Sequence, residues 1–349
     1  MSGRLRRDRL AALAVAAAAL AAAIVLALLG VRMMPSYLAA WLFLLAFPLG
    51  ALPIVMGMEL LGCAALPIVP PLRRMLLLLP IAALFAAPVL LRLDSLYAWS
   101  VVPLPGFAGA WFHRPAFIAR MIAYLVIWCA LALVFCRPPP ARAAAGRFGL
   151  AALGLFAHLF IATLAAIDWA MSLDRTFASS ELGVLLIAAQ SSTAASAAIL
   201  MLGPRRLAGP ALPGFVALTL TLAGAWMFTQ FIQFLVIWSA NLPNEAAWYL
   251  HRSSGLGAAA EWLALLAFVA TLLLLPRRLA RPTILFGVAA LLLVTHLLEM
   301  LWLVTPDFRR HFSITLADAL AMLAALLVAG AFLRAVAPGV RRRLPHGAT

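Results

Sequence analysis

The stretch Ala165-Ala166-Ile167-Asp168-Trp169-Ala170-Met171-Ser172-Leu173-Asp174-Arg175-Thr176-Phe177-Ala178-Ser179-Ser180-Glu181-Leu182-Gly183 is a short charged corner between two long apolar segments. It holds Asp168, Asp174 and Glu181, three of the chain's eleven acidic residues. Apolar runs of this length on both sides read as membrane helices, since a span needs about 20 such residues. Ionisable groups beside hydrocarbon are costly and by default mark a functional site.

Composition carries the same message through the chain. The 349 residues are 66% hydrophobic and 11% charged, with a mean hydropathy of +1.08. A soluble domain cannot cover that much apolar surface with so little charge, so the chain reads as one integral membrane domain over 1–349. The formal charge of +15 comes from arginine alone, with no lysine, and the arginines lie in loops between apolar runs. They are topology signals rather than a nucleic-acid patch. Cys63, Cys129 and Cys136 have no metal-like spacing and read as small buried residues.

Ten helices are predicted, near 11–31, 37–58, 75–91, 116–136, 148–171, 181–202, 213–239, 256–275, 283–304 and 314–334. The first is too long for a secretory signal core of about 7–15 residues and is kept as a retained helix. Alternate loops on one side hold 18 arginines, including Arg4, Arg73, Arg147, Arg205, Arg277 and Arg341, against seven on the other. That asymmetry places both termini, the basic segments 1–10 and 335–349, in the cytoplasm.

Polar residues within the spans crowd towards the outer side. Asp168 lies 21 residues after Arg147, or roughly 31 Å along the helix, near the outer edge of the hydrocarbon. Gln230, Gln233, Glu261, Glu299 and Asp318 fall in the outer third, His158 and His296 near the midplane, and Glu59 on the inner third. Thr219, Trp226, Gln230 and Gln233 share one helix face, and His296, Glu299 and Trp302 form a similar stripe. Such stripes line a shared interior or act as interhelical glue. Asp168 is about 280° around its helix from His158, so the two need water or another helix to communicate. Glu181, Glu261 and Asp318 sit in first turns and read as capping acids. Asp168 instead opposes its own helix dipole, and burial there favours a protonated carboxyl unless an arginine pairs with it; Arg175 is the nearest candidate in sequence. His158 and His296, on two helices, also admit a b-type haem as an alternative.

Asp168-Trp169-Ala170-Met171-Ser172-Leu173-Asp174 resembles the corner motif of the NrfD-like membrane subunits of alternative complex III, the ActF type. The resemblance continues in collinear order over residues 36–310. Phe231 to Glu245, with Gln233, Trp238, Asn241 and Pro243, is similar to one family stretch, and Trp248-Tyr249 with Arg252 to the next. Leu96-Tyr97 with Trp99, and Trp302 with Pro306, match further pieces. This resemblance implies two four-helix bundles, helices 2–5 and 6–9, flanked by helices 1 and 10. It implies a quinol-oxidising respiratory complex in a bacterial inner membrane, with haem c and iron–sulfur clusters in partner subunits and a second NrfD-like subunit beside this one.

On that reading the chain binds no redox cofactor or metal itself and offers a quinone-facing surface or a proton half-channel. Asp168, His296, Glu299 and His158 are the proton-path candidates, and Trp226, Gln230 and Gln233 line the quinol or channel space. Asp174, Asn241, Glu245 and Arg252 shape the outer corner and a partner contact. A purely structural subunit anchoring peripheral redox proteins is the competing class. An independent proton-coupled transporter is a third.

Overall fold

The computed structural model describes residues 30, 33–138, 144–276 and 281–336. Among these, nine helices are long and apolar enough to cross a membrane. The predicted span 11–31, the segment 1–10 and all but the first two residues of 335–349 lie outside the described residues.

The central element is α1 (Met34–Leu60). It is apolar on every face, and 94% of its most hydrophobic window is buried inside the protein, so other helices, not lipid, surround it. Around it pack α6 (Ala144–Trp169), α7 (Leu182–Leu202), α11 (Pro282–Val304) and α12 (Leu316–Ala335). The α1–α7 contact is backbone on backbone. A Cβ added at Gly50 would lie 1.8 Å from the carbonyl oxygen of Gln190, so only glycine allows this approach. Gly183 likewise lets α7 lie against Thr163 of α6.

The predicted helix 75–91 begins earlier and is broken into α2 (Val69–Leu76), α3 (Leu79–Leu84) and α4 (Ala87–Leu91). Each piece carries proline in its first turn, where the missing N–H costs nothing and the ring stops the preceding helix. The remaining spans are α5 (Arg114–Phe135), α8 (Leu212–Ala240) and α10 (Gly257–Leu274). Between α8 and α10 the surface helix α9 (Pro243–Arg252) starts after Asn241, whose left-handed backbone (φ 48°) ends α8. Both α8 and α10 leave most of their surface outside the protein core.

At the arginine-rich end, Glu59 accepts bonds from Arg73 (2.9 Å) and Arg147 (3.1 Å), tying α1 to α2 and α6. Arg147 also donates to the carbonyls of Val134 (3.0 Å) and Arg137 (2.9 Å), which end α5. The opposite end is held by Arg309, which bonds both carboxylate oxygens of Asp318 at 2.7 and 2.9 Å. Asp318 also closes a capping box with Thr315 and accepts from Ser36 of α1 (2.6 Å).

Candidate functional site

A cavity of about 310 Å³ lies among α8, α9, α10 and α11, large enough for a small aromatic ligand. Its polar wall comes from the two stripes seen in sequence. Trp226 and Gln230 of α8 and Glu299 of α11 line it together with Trp302. The Glu299 carboxylate is the hub. One oxygen accepts from Trp226 Nε1 at 2.8 Å and from Gln230 Nε2 at 2.6 Å; the other meets His296 Nδ1 at 2.8 Å. A carboxylate with three nitrogen donors is fixed in orientation, and its contact to Nδ1 sets the histidine tautomer. The indole of Trp226 also packs edge-on to His296, with ring centroids 4.6 Å apart. Three residues of the rim, Phe234, Leu250 and Leu265, are exposed, so the cavity opens sideways at the outer surface of the helices.

Gln233, one turn beyond Gln230, lines a smaller space of about 10 Å³ next to Glu299 and Trp302. Its Oε1 accepts from Ser179 Oγ (2.5 Å), and Ser179 Oγ in turn accepts from the N–H groups of Glu181 and Leu182 (3.1 Å each). At the start of α7 it is thus Ser179, reaching from the charged corner to the α8 stripe, that accepts the free N–H groups, and Glu181, read as the capping acid, makes no side-chain cap there. Thr219 only bonds the Phe215 carbonyl of its own helix.

Asp168 is elsewhere. It is 1% exposed and its carboxylate takes four bonds: Arg120 Nε (2.8 Å) and Nη2 (2.9 Å), Trp111 Nε1 (2.9 Å) and Tyr124 Oη (3.0 Å). Arg175, the partner expected from sequence proximity, instead donates to the Val102 carbonyl at 2.6 Å. The arginine partner that the sequence left open is Arg120, held to Asp168 by two bonds. Trp111, Tyr124 and Arg120 were not among the sequence candidates. Arg120 was legible in one respect: it falls inside the predicted span 116–136, and such a charge calls for a nearby carboxylate. Tyr97, fully buried beside this pair, has its phenol held up by burial and by the Asp168 charge.

His158, 0% exposed, accepts from Trp128 Nε1 at 3.1 Å and contacts neither Asp168 nor His296. The pair Trp128–His158 on α5 and α6 mirrors Trp226–His296 on α8 and α11. The position three residues after His158 is Ile161, whereas three after His296 comes Glu299, so one pair has a carboxylate and the other does not.

The outer-corner residues separate. Asp174 accepts from the Thr176 N–H (2.8 Å) and hydroxyl (2.7 Å), a local turn. Asn241 is exposed and Glu245 is half-buried in the first turn of α9. Arg252 contradicts its expected place at a partner contact. It is 1% exposed, bonds Asp307 Oδ2 (2.7 Å) and the Leu303 carbonyl (2.9 Å), and stacks 3.7 Å over Trp248. A guanidinium so enclosed fastens α9 onto the end of α11. Burial pushes its pKa down, and Asp307 opposes that shift.

Two cavity residues escaped the sequence reading. Glu261, set aside as a first-turn acid, lines the cavity and accepts from Ser253 Oγ at 2.7 Å. Tyr249 lines it too, its phenol pKa raised by burial and then by the Glu261 charge, with Arg252 opposing.

Fold and site together define a polytopic helical membrane protein with a buried carboxylate–imidazole pair beside an apolar, side-opening cavity. No model of a known protein family matches the chain, and no curated protein is similar to it in sequence.

Proposed function

We propose that the chain is a membrane subunit of a quinol-oxidising respiratory complex, binding the quinol headgroup in the α8–α11 cavity. The observation that carries this reading is the Glu299 hub. A hydroquinone gives up two protons with its two electrons, so its site needs a fixed proton acceptor at the hydroxyl. Glu299, oriented by Trp226 and Gln230 and by the 2.8 Å contact to His296 Nδ1, accepts the hydroxyl's hydrogen bond and then its proton. The sideways opening admits a ligand from the hydrocarbon. Electrons pass to haem c or iron–sulfur groups in partner subunits, consistent with the collinear resemblance to NrfD-like subunits.

The same reading groups the helices as 34–60, 69–91, 114–135 and 144–169 in one bundle and 182–202, 212–240, 257–274 and 282–304 in the other. It places both termini in the cytoplasm of a bacterial plasma membrane. Asp168 then acts as a positioning residue, and His158 as a packing partner of Trp128. The anchoring alternative draws support from this corner, where Asp168 and Asp174 hold structural contacts to Arg120, Tyr124 and Thr176. The two readings part in one preparation: the protein purified with its co-purifying subunits and extracted for lipids. Bound quinone together with haem- or iron–sulfur-containing partners supports the quinol reading. Partners without quinone leave anchoring, and neither result leaves the complex reading without support.

A further inference from the structure

The cavity holds two carboxylates from two helices, and the hub accounts for only one. Glu299 enters from α11 and Glu261 from α10, one turn into that helix and bonded to Ser253. Glu261 receives a single hydrogen bond, from Ser253, which leaves its second oxygen with no protein donor. Among the described residues no arginine lines the space to neutralise it. A third feature points to a ligand. Trp302 also lines the cavity, is 8% exposed, and its Nε1–H has no partner. A buried indole N–H and a carboxylate oxygen without donors, on two residues that line one apolar space, are the complementary halves of a site for a hydroxyl group, which donates and accepts at once.

We infer that Glu261 is a second ligand-contacting carboxylate of this cavity, and that the pair Glu261–Glu299 selects the reduced, dihydroxy form of an aromatic headgroup over its oxidised dione. The inference rests on the quinol reading above and adds the residue that discriminates redox state. Each hydroxyl of a hydroquinone donates to one carboxylate, and one of the two also accepts from Trp302 Nε1. A dione offers only acceptors. It would set carbonyl oxygens against two carboxylates and leave the second Glu261 oxygen without a donor, a penalty that makes hydrogen-bonding sites reject analogues lacking the donor. Oxidation of the bound ligand therefore weakens its hold and favours exchange for another reduced molecule.

The test is anaerobic calorimetric titration of the purified full-length protein, in lipid nanodiscs, with duroquinol and separately with duroquinone. Wild type is expected to bind duroquinol at least about tenfold more tightly than duroquinone, the worth of one hydrogen bond to a charged group. Glu261→Gln, which keeps the Ser253 contact, is expected to remove about tenfold of the duroquinol affinity and leave duroquinone affinity unchanged. Glu261→Asp is expected to restore part of the preference. Equal affinity of wild type for the two forms overturns the inference, whether or not any variant folds. So does an equal effect of Glu261→Gln on both forms, or no effect. If Glu299→Gln abolishes duroquinol binding while Glu261→Gln does not alter it, only the role of Glu261 falls. If wild type binds neither compound, the quinol reading falls with it.

Discussion

Arg120 and Asp168 face each other through two parallel contacts, Nε to Oδ2 at 2.8 Å and Nη2 to Oδ1 at 2.9 Å, across 48 residues of sequence. The guanidinium also lies 4.1 Å from the centre of the Trp111 ring and donates to the Trp111 carbonyl at 2.9 Å. This arrangement joins α5, the loop that precedes it and the end of α6 into one unit. Removing one partner of a buried pair strands the other charge, typically at a cost of about 3–5 kcal/mol. Asp168→Asn is therefore expected to lower thermal stability in detergent by about that amount. The double variant Arg120→Gln/Asp168→Asn should be less unstable than the two single losses added together, because neither charge is left alone. Strict additivity, or an unchanged melting profile for Asp168→Asn, would contradict the pairing.

Much of the fold was legible because apolar length is a local property. Eight of the nine described spans fall within a few residues of their expected limits. The exception is α2–α4, where hydropathy reads as continuous but Pro80 and Pro88 interrupt the hydrogen-bond ladder. The candidate site was half legible. Helical phase correctly joined Trp226 with Gln230, and His296 with Glu299, since both stripes depend only on the 3.6-residue repeat. Phase does not say which helix faces which. Arg120 was thus missed as the partner of Asp168, Arg175 was chosen by proximity in sequence, and Arg252 was read as exposed because it lies in a short loop segment. Glu261 was discounted as a first-turn acid, but it is the fifth residue of α10, beyond that turn, and accepts from the neighbouring Ser253.

The Glu59 cluster gives a second prediction. Its carboxylate is the shared partner of two arginines on different helices, each with a side chain less than one-fifth exposed. Glu59→Gln removes the charge that offsets both. The variant is expected to lose about 3–5 kcal/mol of stability and to be rescued in part by Arg147→Gln. Urea or thermal unfolding, followed by tryptophan fluorescence, measures both. Wild-type stability in Glu59→Gln would show the cluster to be incidental.

Gly50 tests the packing of the central helix. A methyl group there meets the Gln190 carbonyl at 1.8 Å, backbone against backbone, with no flexible side chain to move aside. Gly50→Ala is expected to force α1 and α7 apart and to abolish recovery of monodisperse protein. Gly57→Ala, where nothing lies within 4 Å, should behave as wild type. Normal yield and elution for Gly50→Ala would refute the close approach of these two helices.

The central claim is that a quinol headgroup occupies the cavity bounded by Trp226, Glu261, Glu299 and Trp302. Photolabelling of the membrane-embedded protein with an azido-quinone, followed by peptide mapping, addresses it most directly. The account predicts label on peptides from α8, α10 and α11, suppressed by excess duroquinol and strongly reduced in Glu299→Gln. Label confined to other helices, or cavity label that excess duroquinol does not displace, would contradict it.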